Sequence, residues 1–170
     1  GLLLYYSFST NTVPVPDDSG NGNTGTVNGA TWVPAGITGG AYSFDGGDDI
    51  LAAEIELTNH VSLSAWVRPS AVNLYNVIVG NSEYMIRMDA DRTVRLYVNI
   101  ANSWKSSGSS ATALAIGEWY HIGGTYDGTN AIIYVNGQQS SSAPVSGNMI
   151  ASFHTSEFIT RVGGIFGGQR

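Results

Sequence analysis

Two arginines and a few carboxylates are the residues of this 170-residue chain whose types and spacing could do chemistry. Arg87 and Arg95 sit in two neighbouring segments, Tyr84 to Asp89 and Thr93 to Ile100, that alternate apolar and polar residues. If these segments pair as a hairpin, both apolar faces must turn to the core, which sets Met88 opposite Val94 and Ile86 opposite Leu96. The same register opposes Arg87 to Arg95, Met85 to Tyr97 and Glu83 to Asn99. Like charges placed directly opposite repel, so something anionic must offset the pair. The plain solution is a nearby carboxylate, Asp89 or Asp91. The chemically interesting one is an acidic ligand, such as a uronic acid or a sulfated sugar, held bidentately by guanidinium. Trp104 lies in Asn99 to Ser110, a polar stretch that reads as a loop. Its ring can stack on a sugar or fold over the edge of the domain. Tyr75, Asn76 and Asn81 flank the adjoining segment and can add hydrogen bonds.

The carboxylates make a weaker case for catalysis. Retaining glycoside hydrolysis needs two carboxyl groups about 5–5.5 Å apart. Glu54 and Glu56, at i and i+2, share one face of a strand, but Thr58 and Asn59 follow where a third acidic residue is wanted. Both glutamates read as solvated strand residues. His60, His121 and His154 show no metal-ligand spacing and read as structural or surface residues. Trp32, Trp66 and Trp119 read as packing residues. There is no Gly-x-Ser-x-Gly elbow. Gly163 to Gly168 is not followed by a helical pattern, so it is no phosphate cradle. The chain has no cysteine, which excludes disulfides and thiolate chemistry.

The elements that must position these residues are strands. The chain has 22 glycines and many Asn, Asp and Ser residues, and turn signals recur along its length. No segment keeps an apolar period near 3.6 over a helix length. Val61, Leu63, Ala65 and Val67 alternate, as do Val94, Leu96, Val98 and Ile100. Ala131 to Val135 leads into Asn136-Gly137, the strongest two-residue hairpin signal, and a return strand is expected through Gln138 to Ser142. Tyr126 to Asn130 reads as a second turn. Only 12% of residues are charged and the net charge is −6, so nucleic acid, which needs a cationic footprint, is not the expected partner. No apolar stretch is long enough to span a bilayer, and no signal peptide is visible. The chain begins at Gly1, which suggests a processed form or an excised domain.

Five segments in order resemble the laminin G-like, concanavalin A-like lectin/glucanase superfamily. They are Leu3 to Phe8, Asp17 to Gly25 (Asp-Asp-Ser-Gly-Asn-Gly-Asn-Thr-Gly), Gly40 to Asp49, Ser62 to Pro69, and Glu118 through Asn136-Gly137. The resemblance implies one domain over residues 1–170, an all-β, antiparallel two-sheet jelly-roll sandwich whose first strand is Leu3 to Phe8. It also implies a structural Ca²⁺ by the Asp17 to Gly25 loop, with Asp17 and Asn23 as first ligands and Asp45 next. The superfamily closes with a further strand after a segment like Arg161 to Gly164, and this sequence stops at Arg170 without it. Lost sequence is the preferred explanation. A cut after Arg170 or a strand donated by a neighbour are the others, the last offering a protein partner at the first-strand edge.

The expected function is a non-catalytic binding module of a secreted or surface protein, bacterial in origin. It would take a polysaccharide or glycan, acidic if the arginines bind it, with Ca²⁺ stabilising the loops. A structural or adhesive domain making protein contacts is the alternative, and a glycosidase or polysaccharide lyase the third reading.

Overall fold

The computed structural model describes residues 1–47, 49–55, 59–71, 75–149 and 159–163. Along the chain run β1 (Thr26–Asn28), β2 (Thr31–Val33), β3 (Ala41–Ser43), β4 (Asp49–Glu54), β5 (Val61–Val67), β6 (Tyr75–Gly80) and β7 (Tyr84–Asp89). They are followed by β8 (Val94–Ile100), β9 (Ser103–Ser106), β10 (Tyr120–Tyr126), β11 (Asn130–Val135), β12 (Gln138–Pro144) and β13 (Ile159–Val162). No helix occurs among the described residues. A seven-stranded sheet has the order β1-β4-β13-β6-β7-β8-β9, and a four-stranded sheet the order β12-β11-β10-β5; β2 and β3 form a separate pair. All the pairings are antiparallel, so the molecule is the expected two-sheet sandwich.

Alternation drives this packing. On β7 and β8 the residues Tyr84, Ile86, Met88, Val94, Leu96 and Val98 are buried, and they meet Val61, Ile122, Tyr126, Ala131 and Ile133 of the small sheet in one core. Two adjacent glycines on β10 show how closely the sheets approach. A Cβ at Gly124 would stand 3.2 Å from Leu96 and 3.3 Å from Ile86, so the absent side chain is what admits those two. Gly123 points the other way, outward.

The turns follow the sequence in two of three cases. Asn136 and Gly137 have φ of 52° and 77°, as a type I′ hairpin requires. Asp127 Oδ1 accepts hydrogen bonds from the backbone N–H groups of Thr129 and Asn130 at 2.9 and 2.7 Å, which builds the β10–β11 turn. The third case is a correction. Asn99 to Ser110 is not a loop throughout: β8 runs to Ile100, turns through Ala101 and Asn102 at φ of 51° and 61°, and returns as β9. Beyond β9 the chain keeps pairing with β8, since Ser107 and Ser110 donate their N–H groups to Leu96 and Val94 while their hydroxyls accept the N–H groups of the same two residues.

Leu3 to Phe8 is also corrected: it forms no strand. Its backbone is engaged by side chains of the next loop, Asn21 and Asn23 donating to Leu2 and Leu3 carbonyls and Asp17 accepting from Tyr5 N–H. Phe8 then turns at φ 54°. Tyr6 and Phe8 instead pack on a second, smaller core of Val15, Ala30, Tyr42 and Ile50. Phe8 meets Tyr42 edge-on at 5.2 Å, and Trp32 Nε1 donates to the Phe8 carbonyl at 3.0 Å, which confirms Trp32 as a packing residue.

Candidate functional site

The outward face of the large sheet carries the arginine pair in the expected register. Arg87 pairs with Arg95, Met85 with Tyr97, Ile86 with Leu96 and Met88 with Val94. Asn99 N–H donates to the Glu83 carbonyl at 2.7 Å, which extends the same register. The protein supplies its own counter-ion. Asp89, two residues along the same face, accepts from Arg87 Nε at 2.8 Å and ion-pairs with Arg87 Nη2 at 2.7 Å and Arg95 Nε at 3.1 Å. Arg87 Nη2 also donates to the Tyr97 hydroxyl at 2.7 Å, and that hydroxyl donates onward to Asp89 Oδ2 at 3.3 Å. The Arg87 guanidinium lies 4.3 Å over the Tyr97 ring, a cation–π arrangement. Burial is the main reason the Tyr97 phenol titrates above its usual value, with Asp89 adding to it against the opposing pull of the arginines.

The two arginines are therefore unequal. Arg87 is clasped by Asp89 and Tyr97. Arg95 Nε is buried and lies 3.1 Å from Asp89 without a hydrogen bond to it; its guanidinium also acts on the Tyr97 hydroxyl, and its side chain is 32% exposed. Asp91, in the turn between β7 and β8, feels the Arg95 charge, though its carboxyl is held low mainly by hydrogen bonds from Thr93. Two guanidinium groups share one carboxylate in direct contact, with Arg95 as the outer member of the pair.

Other expected site residues scatter around this pair. Trp104 stands opposite Asn99 at the β9 edge of the same sheet, 37% exposed. Tyr75 pairs with Asp89 in the sheet. Asn76 pairs with Met88, which puts it on the core side of the sheet, so the structure does not bring it to the arginines. Asn81 is fully buried at the β6–β7 turn, where its Oδ1 accepts from the Glu83 and Tyr84 N–H groups. Glu54 ends β4, and Glu56 and His154 lie outside the described residues.

The Asp17 loop sits beyond the opposite edge, with Val15 bridged to Gly25 next to β1. Asp17 is its clasp. The carboxylate accepts from Tyr5 N–H, Ser19 N–H, Ser19 Oγ and Asn23 N–H, at 2.9 to 3.0 Å. Burial, the largest single influence on this carboxyl, acts to raise its pKa, but these hydrogen bonds outweigh it and bring it to about 2. Asn23 turns its amide nitrogen to the Leu3 carbonyl, and Asp45 accepts from Gly47 N–H at 2.8 Å. A carboxylate has about four acceptor sites, and all of those on Asp17 face donors. As arranged, Asp17 does not fit the role of a calcium ligand, and no group of three or more His, Asp or Glu residues suited to a metal occurs among the described residues.

One expectation about tryptophan is overturned. Trp66 is 52% exposed on the outward face of the small sheet, opposite His121, with the two rings tilted at 52° and their centroids 5.2 Å apart. Trp119 is partly covered, with the Arg68 guanidinium 5.6 Å from its ring. The signal was in the sequence: if Ala65 and Val67 face the core, period two sends Trp66 outward.

The described residues form an antiparallel two-sheet sandwich with polar and aromatic groups on its outward faces. The chain belongs to the concanavalin A-like lectin/glucanases superfamily, in its laminin G division, whose family model matches residues 44–169. Solved structures agree at the level of fold. Domain 4 of AbnA, a GH43 extracellular arabinanase from Geobacillus stearothermophilus solved with arabinotriose, superposes with a TM-score of 0.73 at 19% identity, over 93% of this chain and 80% of that one. The botulinum neurotoxin serotype C1 binding domain gives 0.65 at 14% identity, over 95% and 42%. A second type C neurotoxin structure, described with two ganglioside molecules, gives 0.60 at 12% identity, over 99% and 44%. The chain thus spans less than half of either toxin chain. No curated protein matches its sequence.

Proposed function

We propose that this domain is a non-catalytic carbohydrate-binding module of a secreted or cell-surface protein, and that it takes an acidic glycan on the outward face of its large sheet. The observation that carries this reading is Arg95, whose guanidinium is partly exposed, poorly satisfied by Asp89, and fixed on a rigid strand beside Tyr97. A uronate or sulfate would complete it with charge-assisted hydrogen bonds, and Trp104 at the sheet edge offers a ring for stacking. The domain solved with arabinotriose supports the reading by analogy of fold, since this chain covers most of that domain. The arabinanase is described as extracellular, which supports a secreted or surface location.

Affinity gel electrophoresis tests it. The domain should be retarded by polygalacturonate, alginate or a sulfated glycan, and Arg95→Gln should migrate freely. Equal mobility with and without every acidic polymer counts against the reading. Calcium at the Asp17 loop is a separate proposal, in which Asp17 would exchange its hydrogen-bond donors for the ion, with Asn23 and Asp45 as further ligands.

A protein-contact role is the second reading. Leu2, Leu3 and Tyr5 are 64%, 45% and 49% exposed along the amino-terminal segment, an apolar run that a partner would cover. Complexes that dissociate on mutating Leu2 and Leu3 to Ser would favour it. For the glycosidase or lyase reading, the test is whether Glu54→Gln or Glu56→Gln abolishes a measurable activity.

A further inference from the structure

The outward face of the small sheet carries a row of aromatic side chains that the large-sheet site does not use. Trp66 on β5 lies opposite His121 on β10, and one step along, Ser64 lies opposite Gly123, which in turn lies opposite Tyr134 on β11. Gly123 is buried, and a Cβ on it would be only in ordinary contact with Tyr134, 3.7 Å away, and with the Leu63 carbonyl, 3.8 Å away, so between the indole and the phenol ring the surface is low and carries no side chain at this position. Trp66 and Tyr134 stand two strands apart, roughly 10 Å across the sheet. The Trp66 ring is fixed by its contact with His121 and is still half exposed, so little ordering remains to be done on binding.

The surroundings say what such a surface would hold. The other outward positions beside it are Ser62 and Ser64 on the edge strand β5, Thr125 on β10 and Ile132 on β11, and on β12 they are Gln139 and Ser142. None is acidic, in a chain of net charge −6. Arg68, at the end of this row, is drawn over the Trp119 ring. An anion finds no free fork here, and a cation finds no carboxylate. A flat aromatic surface rimmed by hydroxyls and amides matches a sugar ring, which offers an apolar C–H face and a rim of hydroxyls.

We infer that Trp66 and Tyr134, with Gly123 between them, form a second glycan site, one for uncharged polysaccharide, on the opposite side of the sandwich from Arg95. It stands independently of the acidic-glycan site. The test is affinity electrophoresis of the whole domain in a panel of neutral polymers, namely xylan, β-glucan, arabinan and galactomannan, with thermal melts confirming that each variant is folded. Retardation by at least one polymer is expected. Trp66→Ala should weaken it by roughly tenfold or more, as aromatic anchors do, and Gly123→Leu should weaken it by raising a side chain between the two rings, while Arg95→Gln leaves it unchanged. The inference is overturned if no neutral polymer retards the domain, or if Trp66→Ala and Gly123→Leu bind as the wild type does. It is equally overturned if Trp66→Ala changes only the oligomeric mass measured by light scattering, which would assign the strip to protein contact.

Discussion

Arg87 and Arg95 face each other across the β7–β8 hairpin, and Asp89 answers both of them from the same face. A single carboxylate serving two cations makes Asp89 the keystone of this face. Asp89→Asn would leave two opposed guanidinium groups with no direct counter-charge. The expected cost is about 1–3 kcal/mol, for a partly buried charge pair losing its partner. Urea denaturation would show a lowered midpoint with an unchanged slope. Adding Arg95→Gln to Asp89→Asn should recover part of the loss, and a purely additive double variant would contradict the shared-charge account.

Gly124 is where the two sheets come closest at Leu96 and Ile86. Gly124→Ala should overpack the core and cost about 1–3 kcal/mol. Gly123→Ala, one residue away but outward, should change stability by less than about 0.5 kcal/mol. Thermal melts of the two variants give the contrast; a reversed order would mean that the β10 strand is turned the other way, and equal melting temperatures would contradict the close approach at Gly124.

Asp17 should make the loop acid-sensitive. Its folded pKa, about 2, lies below the ordinary value of 3.8. A carboxyl depressed in the folded state contributes stability that is present above the unfolded pKa and lost as pH falls through the folded one. Wild-type stability should therefore fall between about pH 4 and pH 2, and Asp17→Asn should start lower at neutral pH and lose less over that window. Because the group is largely open to solvent, the amplitude will be small. The same melts run with calcium and with a chelator test the ion: a calcium-dependent rise in Tm that Asp17→Asn abolishes would show that Asp17 turns from its donors to the metal.

How much of this was legible depended on what set each feature. The β7–β8 register followed from apolar alternation, because a slip of one residue would expose Ile86 and Leu96 together. The β8–β9 hairpin was not legible, since Ala101-Asn102 carries none of the glycine that usually marks positive φ. Leu3 to Phe8 looked like a strand by composition, but its carbonyls are bonded by Asn21 and Asn23, and loop side chains more than a dozen residues away leave no local signal. Asn76 was placed beside the arginines by proximity in sequence, and the pairing with Met88 sends it to the core side. Trp66 was misread from residue type, against the period of its own strand.

Isothermal titration of the domain with a uronic-acid oligosaccharide, at low and at high salt, tests the binding function most directly. The account predicts saturable binding that weakens as salt screens the contact and is lost in Arg95→Gln while Trp66→Ala retains it. Absence of heat with any acidic oligosaccharide, or binding that Arg95→Gln leaves intact, would contradict it.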